Sequence, residues 1–175
     1  MAAYDPGWPG LFAALGRRLR TALGAAALRI DHIGSTAVAG LAAKPIIDVQ
    51  ISVADFEPLA AYRVPLESCG FRFRPKPHEL SRRYFRERPG ERRTHIHVRR
   101  AGSFVEQLNL LHRDYLRADA ARANEYAQLK HSLTHLLHTD RQAYVDAKAP
   151  FVWETLRRAE QWSDQTGWEP GPSDA

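Results

Sequence analysis

The sequence indicates a phosphate-binding turn near its start. A predicted short strand, Leu28 to Ile33, runs into Gly34, Ser35 and Thr36, and residues 36–43 predict a small helical turn. A helix that begins directly after such a turn exposes backbone N–H groups that bind phosphate oxygens. The hydroxyls of Ser35 and Thr36 add two further donors. An ordinary turn with a helix cap is the alternative interpretation of the same residues.

A carboxylate on the next predicted strand could hold a metal ion. From Ile46 to Val53 apolar and polar residues alternate, so one strand face packs and the other is polar. Asp48 and Gln50 lie on the polar face. A strand carboxylate opposite a phosphate-binding turn can hold Mg²⁺ between the protein and the phosphates of a nucleotide.

Two histidines on a later strand could complete this site. In the strand predicted from Thr94 to Arg100, His95 and His97 share one face. If that face lies beside Asp48, two imidazoles and a carboxylate could ligate Mn²⁺ or Zn²⁺, or one histidine could act as a general base. Simple contact with phosphate or water is the third alternative.

Basic residues are concentrated in the middle of the chain. The net charge is +5, but residues 72–100 hold 11 basic and 3 acidic residues. Arg82 and Arg86 could form a cationic wall beside the site, because a guanidinium donates two hydrogen bonds to phosphate at once. This excess favours an anionic partner, either the phosphates of a nucleotide or a nucleic-acid backbone.

Lysines on the later helices are further candidates for phosphate binding. Lys130 follows Tyr126, and Lys148 follows Tyr144, each at a spacing of four residues. Both lysines could reach over the site, or they could lie along a helix interface. His131, His135 and His138 share one helical face, but that face is predicted to point to solvent and therefore not to bind metal.

The elements that position these residues predict an α+β domain. Residues 1–162 form the expected single domain, and residues 163–175 the expected flexible tail. Cys69 is the only cysteine, and no apolar run approaches the length of a membrane span, so a cytoplasmic protein without membrane contact is expected. Helices are predicted for a first segment around Trp8 to Leu23, for Asp55 to Ser68, for residues after Gly102, for 122–138 and from Thr139 or Asp140 onward with a kink at Pro150; strands are also predicted for Phe71 to Pro75 and Arg82 to Arg88.

The chain also resembles the GrpB family of predicted nucleotidyltransferases. The resemblance rests on separated motifs, in order Tyr4-Asp5-Pro6, Trp8-Pro9, His32 to Val38, Lys44 to Asp48, His95, His97, Arg113 to Arg117, Tyr126 with Lys130, and Tyr144 with Lys148 and Phe151.

This resemblance implies a nucleotidyltransferase-like mixed β-sheet flanked by helices, with the C-terminal helices packed on the sheet. It implies phosphate binding by Gly34 and Ser35 and metal binding by Asp48, and Thr36 and Lys44 are further candidates for phosphate binding. In the related superfamily a second carboxylate normally follows two residues later, where this chain has Gln50. That departure leaves a two-metal reaction without one of its usual ligands.

The expected function is therefore a metal-dependent nucleotidyltransferase-like activity. Catalytic roles are expected for Asp48, His95 and His97, with Mg²⁺ as cofactor and Mn²⁺ as the alternative ion. A nucleoside triphosphate would bind, and its nucleotidyl group would pass to an acceptor that the sequence does not identify. The alternative is a non-catalytic accessory domain that binds a nucleotide or a coenzyme A precursor, since relatives of the family occur fused to dephospho-CoA kinase. Nucleic acid is a less favoured partner.

Overall fold

A five-stranded mixed sheet organises the chain. The computed structural model describes residues 1–175 except for the side chain of His138. The strands lie in the order β1-β2-β5-β4-β3, and only β2 and β5 run parallel. Their bounds are β1 Arg29–Ile33, β2 Ile47–Val53, β3 Phe71–Phe73, β4 Arg83–Glu87 and β5 Thr94–Arg100.

Helices cover both faces of this sheet, which confirms the predicted α+β class. The first two helices along the chain cover one face of the sheet, and the later helices lie toward the other face. The helices are α1 Trp8–Leu23, α2 Ala60–Ser68, α3 Phe104–Ala118, α4 Ala120–Ser132, α5 Leu136–Thr139 and α6 Arg141–Thr166.

The main hydrophobic core lies between the sheet and helices α1 and α2. Helix α1 repeats apolar residues at intervals of three and four, starts with Pro9 in its first turn and ends at Gly24, whose φ of 50° few other residues adopt. Its buried side chains meet the apolar face of β2, where burying each large side chain contributes about 1.5–3 kcal/mol. This cluster includes Trp8, Phe12, Leu19, Leu23, Val49, Ile51, Phe85 and Ile96.

The other face of the sheet is polar and carries the candidate site. Helix α3 lies across part of it and contacts β1 and β5. A smaller apolar cluster, which includes Val38, Leu41, Leu116 and Tyr126, joins the loop after β1 to helices α3 and α4. The later helices are therefore held close to the turn at Gly34.

Several helix boundaries differ from the prediction. The helical turn predicted over residues 36–43 is replaced by a short 3₁₀ turn, Ser35–Ala37. The predicted helix 122–138 is divided because α4 ends at Ser132. The second helix begins at Ala60 instead of Asp55. Pro150 does not divide α6, which continues to Thr166. His131 and His135 are exposed as predicted, whereas the side chain of His138 lies outside the description.

The last residues contact the sheet where the sequence predicts a flexible tail from Ser163. The Ile30 N–H donates to Ser173 Oγ at 2.8 Å, and the His32 N–H donates to an Asp174 carboxylate oxygen at 2.9 Å. The edge strand β1 offers unpaired backbone donors, and these polar residues satisfy them. The Gly and Pro content of this segment predicted a flexible tail. Amino-acid composition alone does not reveal tertiary hydrogen bonds such as these.

In the part of the chain that the structure describes, no helix is both long enough and apolar enough to cross a membrane.

Candidate functional site

The turn after β1 lies directly against Asp48. Gly34 has φ of 72°, a left-handed conformation that glycine adopts at no steric cost. A Cβ at this position would lie 3.0 Å from Asp48 Oδ2 and 3.2 Å from Asp48 Cβ, so no larger residue fits here without movement. The first hydrogen bond within the turn is donated by the Ala37 N–H to Gly34 O. The N–H groups of Ser35 and Thr36 come before Ala37 and make no bond within the turn. The turn and the carboxylate therefore share one side of the sheet.

The parallel pairing of β2 with β5 brings both histidines to Asp48. Asp48 is in register with His95, and Gln50 with His97, so their side chains share the polar face. His95 Nδ1 lies 3.1 Å from Asp48 Oδ1, and His97 Nε2 lies 3.3 Å from the same oxygen. One ligand atom from each of these three residues lies within 4.8 Å of the others. The strand alternation predicted this arrangement only if the two strands were neighbours, and β2 and β5 are neighbours.

The Asp48 carboxyl is held in its ionised form. Burial raises its pKa, but hydrogen bonds from His95 and His97 outweigh burial and lower the pKa to about 2. Burial lowers the pKa of His97, so this imidazole carries a single proton near neutral pH. A carboxylate only accepts hydrogen bonds, so each histidine donates an N–H to Oδ1.

Four cationic side chains converge on the same cleft. The cleft has a volume of about 260 Å³ and lies between the Gly34 turn and helices α4 and α6. Its lining includes the basic residues Lys44, Lys130, Arg141 and Lys148 together with Gly34, Ser35, Thr36, Asp48, His95, Tyr126 and Tyr144. Asp48 is the one carboxylate among the described lining residues, so the cleft has a strong excess of positive charge.

Lys130 is the most deeply buried of these cations, with 3% of its surface exposed. Its Nζ donates to Ser35 Oγ at 3.0 Å and to the Ala42 carbonyl at 2.6 Å, and it lies 4.5 Å from the Tyr126 ring centre. Burial, with smaller contributions from Lys148 and Lys44, lowers its pKa to about 7. A buried ammonium with neutral partners is stabilised by an anion that enters the cleft.

Lys44 and Lys148 lie on the Tyr144 ring. Their Nζ atoms are 5.3 Å and 4.3 Å from the ring centre, which fixes both cations by cation–π contact. Burial lowers the pKa of both, that of Lys148 to about 8, and Arg141 contributes to each shift. The helix spacing of Tyr144 and Lys148 thus brings the lysine into the cleft.

Thr36 is in the cleft wall, but its hydroxyl is already used. Thr36 Oγ1 donates to the Ile46 carbonyl at 3.0 Å and lies 3.0 Å from His32 Nε2. Burial lowers the pKa of His32 to about 4, and its ring stacks on Phe12 at 4.7 Å. The Thr36 side chain therefore holds the turn in place, and only its backbone N–H remains for a phosphate.

The structure places Arg82 and Arg86 outside the cleft lining. Arg82 pairs with Glu79 at 2.7 Å and donates from Nη1 to His97 Nδ1 at 3.0 Å. Arg86 pairs with Glu87 at 2.7 Å. Neither guanidinium lines the cleft, and each is held by a neighbouring glutamate.

The basic excess of residues 72–100 is divided between several surfaces. Arg83 and Arg100 both lie over the Phe56 ring, and Arg99 is buried against Ser81. Arg72 on β3 is in register with Arg86 on β4, and both residues lie on the polar face of the sheet. The charge run therefore does not form a single stripe.

Gln50 occupies the position of the missing second carboxylate, and both its amide nitrogen and its amide oxygen are hydrogen-bonded to α3. Its Nε2 donates to the Glu106 carbonyl at 3.2 Å, and its Oε1 accepts from Asn109 Nδ2 at 2.7 Å. The side chain is completely buried. Gln50 therefore joins β2 to α3, and its side-chain oxygen already accepts a hydrogen bond from α3.

Sequence reasoning missed Arg141, because it begins a helix far along the chain and lies in no recognisable motif. The residues that follow it at helical spacing, Val145 and Ala149, are apolar and gave no indication that Arg141 lines a polar cleft. The closest available signal was Tyr144 with Lys148 on the same helix, which predicts that this helix face approaches the site.

Asp48 fits the Mg²⁺ that a nucleotidyltransferase-like fold implies. Both imidazoles contact Oδ1, while Oδ2 borders Gly34 and has no hydrogen-bond partner among the described residues. Mg²⁺ is commonly bound by one or two carboxylates together with phosphate oxygens. One carboxylate oxygen facing the Gly34 turn meets the carboxylate part of that requirement for a single ion.

Comparison with known proteins identifies relatives along most of the chain. The family model described as GrpB protein matches residues 1–158. A UPF0157 protein of Halalkalibacterium halodurans is 37% identical over 157 residues, covering 89% of this chain and 80% of the relative. A dephospho-CoA kinase of Mycolicibacterium paratuberculosis is 34% identical over 192 aligned positions, covering 95% of this chain and 47% of the kinase. The chain thus spans about half the length of that kinase.

A solved structure supports the same grouping. The crystal structure of conserved protein GrpB from Enterococcus faecalis matches with a TM-score of 0.81 and 31% sequence identity. The match covers 92% of this chain and 98% of that one. The fold is accordingly nucleotidyltransferase-like, with the mixed sheet and flanking helices described above. The chain belongs to the GrpB family.

Proposed function

We propose that the chain is a metal-dependent nucleotidyltransferase-like enzyme that binds the phosphates of a nucleoside triphosphate in the cationic cleft. The observation that carries this proposal is the convergence of Lys44, Lys130, Lys148 and Arg141 on one carboxylate, Asp48. Charges of one sign held close together in a cleft repel one another, and a polyphosphate relieves that repulsion. The proposed cofactor is Mg²⁺, with Mn²⁺ as the alternative ion.

The chain's own residues position and neutralise the phosphates. The N–H groups of Ser35 and Thr36 and the Lys130 ammonium are fixed before the ligand arrives, so little reorganisation is needed on binding. Asp48 would hold the metal ion, which when bound supplies charge neutralisation on the transferring group. Positioning of the two reactants supplies a large part of the rate in phosphoryl-type transfers.

His95 is the acid–base candidate in this reaction. Its Nδ1–H is donated to Asp48, and its Nε2 is buried without a partner among the described residues. An acceptor hydroxyl would give its proton to Nε2 as its oxygen bonds to the α-phosphorus. The bond from that phosphorus to the bridging oxygen would break, and pyrophosphate would leave. Asp48 orients the imidazole for this step.

Replacement of Lys130 by methionine tests the cleft. We expect Lys130→Met to weaken binding of a non-hydrolysable nucleoside triphosphate at least about tenfold, which corresponds to a loss of about 1.4 kcal/mol or more of binding free energy. Isothermal titration calorimetry measures this affinity with and without Mg²⁺. Lys76→Met is the matched control, because it removes the same charge from an exposed position.

Asp48→Asn separates binding from turnover. The variant should retain metal-free nucleotide binding and lose metal-dependent product formation. Wild-type protein that binds no nucleotide, or equal effects of the Lys130 and Lys76 variants, would contradict the proposed cleft.

A non-catalytic accessory function is the second candidate, and Gln50 favours it. The amide that replaces a second carboxylate is tied into α3 and adds no metal ligand. Relatives named dephospho-CoA kinase contain a region similar to this chain. Calorimetry that finds tight binding of a nucleotide or coenzyme A precursor, with no product over a broad acceptor panel, would select this candidate. The divided basic surface gives nucleic acid less support.

A further inference from the structure

A chain of hydrogen bonds leads from outside the cleft to Asp48. Glu79 Oε2 accepts from Arg82 Nη2 at 2.8 Å, and Arg82 Nη1 lies 3.0 Å from His97 Nδ1. His97 Nε2 in turn lies 3.3 Å from Asp48 Oδ1. A second contact between Arg82 and Glu79, at 2.7 Å, holds the guanidinium in this orientation. Glu79 is thus connected, through Arg82 and His97, to the Asp48 side chain that would bind the metal.

The guanidinium determines which nitrogen of His97 carries the proton. An arginine side chain has donors and no acceptor, so His97 Nδ1 must accept the hydrogen bond. The proton of the neutral imidazole is then on Nε2, the atom that faces Asp48. His97 consequently presents an N–H, and not a lone pair, to the space beside the carboxylate.

This proton placement conflicts with metal ligation by His97. Asp48, His95 and His97 have the residue types and the spacing of a nitrogen-rich site for Zn²⁺ or Co²⁺. Ligation by Nε2 requires its lone pair, which moves the proton to Nδ1. Two N–H groups, from His97 and Arg82, would then face each other across 3.0 Å. The three-ligand site is therefore blocked while Arg82 stays in place.

We propose that Arg82 is a specificity-determining residue that makes His97 a hydrogen-bond donor to Asp48 and so disfavours nitrogen-preferring transition metals in favour of Mg²⁺. Glu79 acts through Arg82 as a positioning residue. The inference rests on the proposed function in one respect, namely that Asp48 is the Mg²⁺ ligand. The proton position on His97 follows from the hydrogen bonds alone.

Co²⁺ binding tests the proposal, because its visible absorption changes in intensity and position when imidazole nitrogens replace water in its coordination shell. Wild-type protein should bind Co²⁺ weakly. Arg82→Met should tighten Co²⁺ binding by about 10- to 100-fold, the range over which the hydrogen-bond partners of metal ligands tune affinity. Adding His97→Ala to Arg82→Met should remove that gain. Arg82→Lys keeps a donor near Nδ1 and should stay closer to the wild type.

Arg86→Met is the matched control for loss of positive charge. Arg86 is in register with His95 on the neighbouring strand, so its removal changes the local charge without touching His97. A gain in Co²⁺ affinity of equal size in Arg86→Met would overturn the proposal. Tight Co²⁺ binding by the wild type, or no gain in Arg82→Met, would do the same.

Nitrogen-15 NMR of the imidazoles gives a second readout that does not involve metal. His97 should be the Nε2–H tautomer in the wild type and should shift toward a mixture of tautomers in Arg82→Met. A wild-type His97 with its proton on Nδ1 would refute the inference. If the tautomer and Co²⁺ results hold but no nucleotide binds, the proposed function fails and the assignment of Arg82 stands.

Discussion

At the scale of single residues, Lys130 shows how the cleft is prepared for an anion. Its Nζ donates to Ser35 and Ala42, neither of which carries charge. Burial and two neighbouring lysines lower its pKa to about 7, and the pKa of Lys148 is lowered to about 8. Both shifts have the direction expected of a cleft that disfavours the ammonium form.

Phosphate binding should therefore take up protons. A bound anion raises the pKa of Lys130 and Lys148, so more protons are bound in the complex than in the free protein near pH 8. Affinity should be highest below about pH 7 and fall as the pH rises through about 7 to 9. Calorimetry in buffers of different ionisation enthalpy measures the uptake.

Lys130→Met should show a smaller uptake than the wild type, whereas Lys76→Met should leave it unchanged. Binding heats that do not depend on the buffer would refute the coupling.

At the scale of elements, the link between β2 and α3 determines what the polar face of the sheet can hold. Gln50 donates to the Glu106 carbonyl and accepts from Asn109, and both bonds are buried. The Glu106 carboxylate itself accepts from the Gly102 N–H at 2.7 Å and from the Ser52 hydroxyl. Helix α3 is thus fastened to β2 by polar contacts that a second acid would disturb.

Gln50→Glu should consequently destabilise the fold instead of restoring an acidic pair. A carboxylate cannot donate to the Glu106 carbonyl, and its buried charge has no cation beside it in the contacts of Gln50. The expected cost is about 2–3 kcal/mol of unfolding free energy. Urea denaturation measures it, with Gln50→Met as a neutral comparison of similar size. A Gln50→Glu protein as stable as the wild type would contradict this account of the β2–α3 link.

The same elements show what sequence could and could not predict about the site. Alternation in β2 and β5 correctly assigned Asp48, His95 and His97 to polar faces, since strand periodicity is a local property. That the two strands are neighbours, and in which register, depends on long-range pairing that local pattern does not encode. The partners of Thr36 and Arg82 likewise depend on tertiary contacts, so the sequence did not predict that the Thr36 hydroxyl and the Arg82 guanidinium are hydrogen-bonded within the protein.

At the scale of the whole molecule, the last residues of the sequence are part of the folded body. Asp174 accepts from the His32 N–H and from Arg113 Nη1, each at 2.9 Å, and Arg113 is 3% exposed. The Ala175 N–H donates to the Ile30 carbonyl at 3.1 Å. The family model ends at residue 158, so the resemblance carried no information about these contacts.

Asp174→Ala should lower the free energy of unfolding by about 2 kcal/mol, because it removes one charged partner from a buried arginine. Thermal or urea denaturation measures the loss. Asp164→Ala is the control, since Asp164 is exposed on α6 and its removal should change stability by no more than about 0.5 kcal/mol. Equal stabilities of the two variants would indicate that the terminal residues do not support β1.

The cleft is assembled from residues that are far apart along the chain, from Gly34 to Lys148. During synthesis on the ribosome the sheet can pair as soon as β5 has emerged, but the wall supplied by Arg141, Tyr144 and Lys148 arrives only with α6. A nascent chain therefore has a complete sheet before it has a complete cleft. Ligand capture must wait until α6 has been synthesised, and a ligand cannot act as a template for the earlier pairing of the sheet.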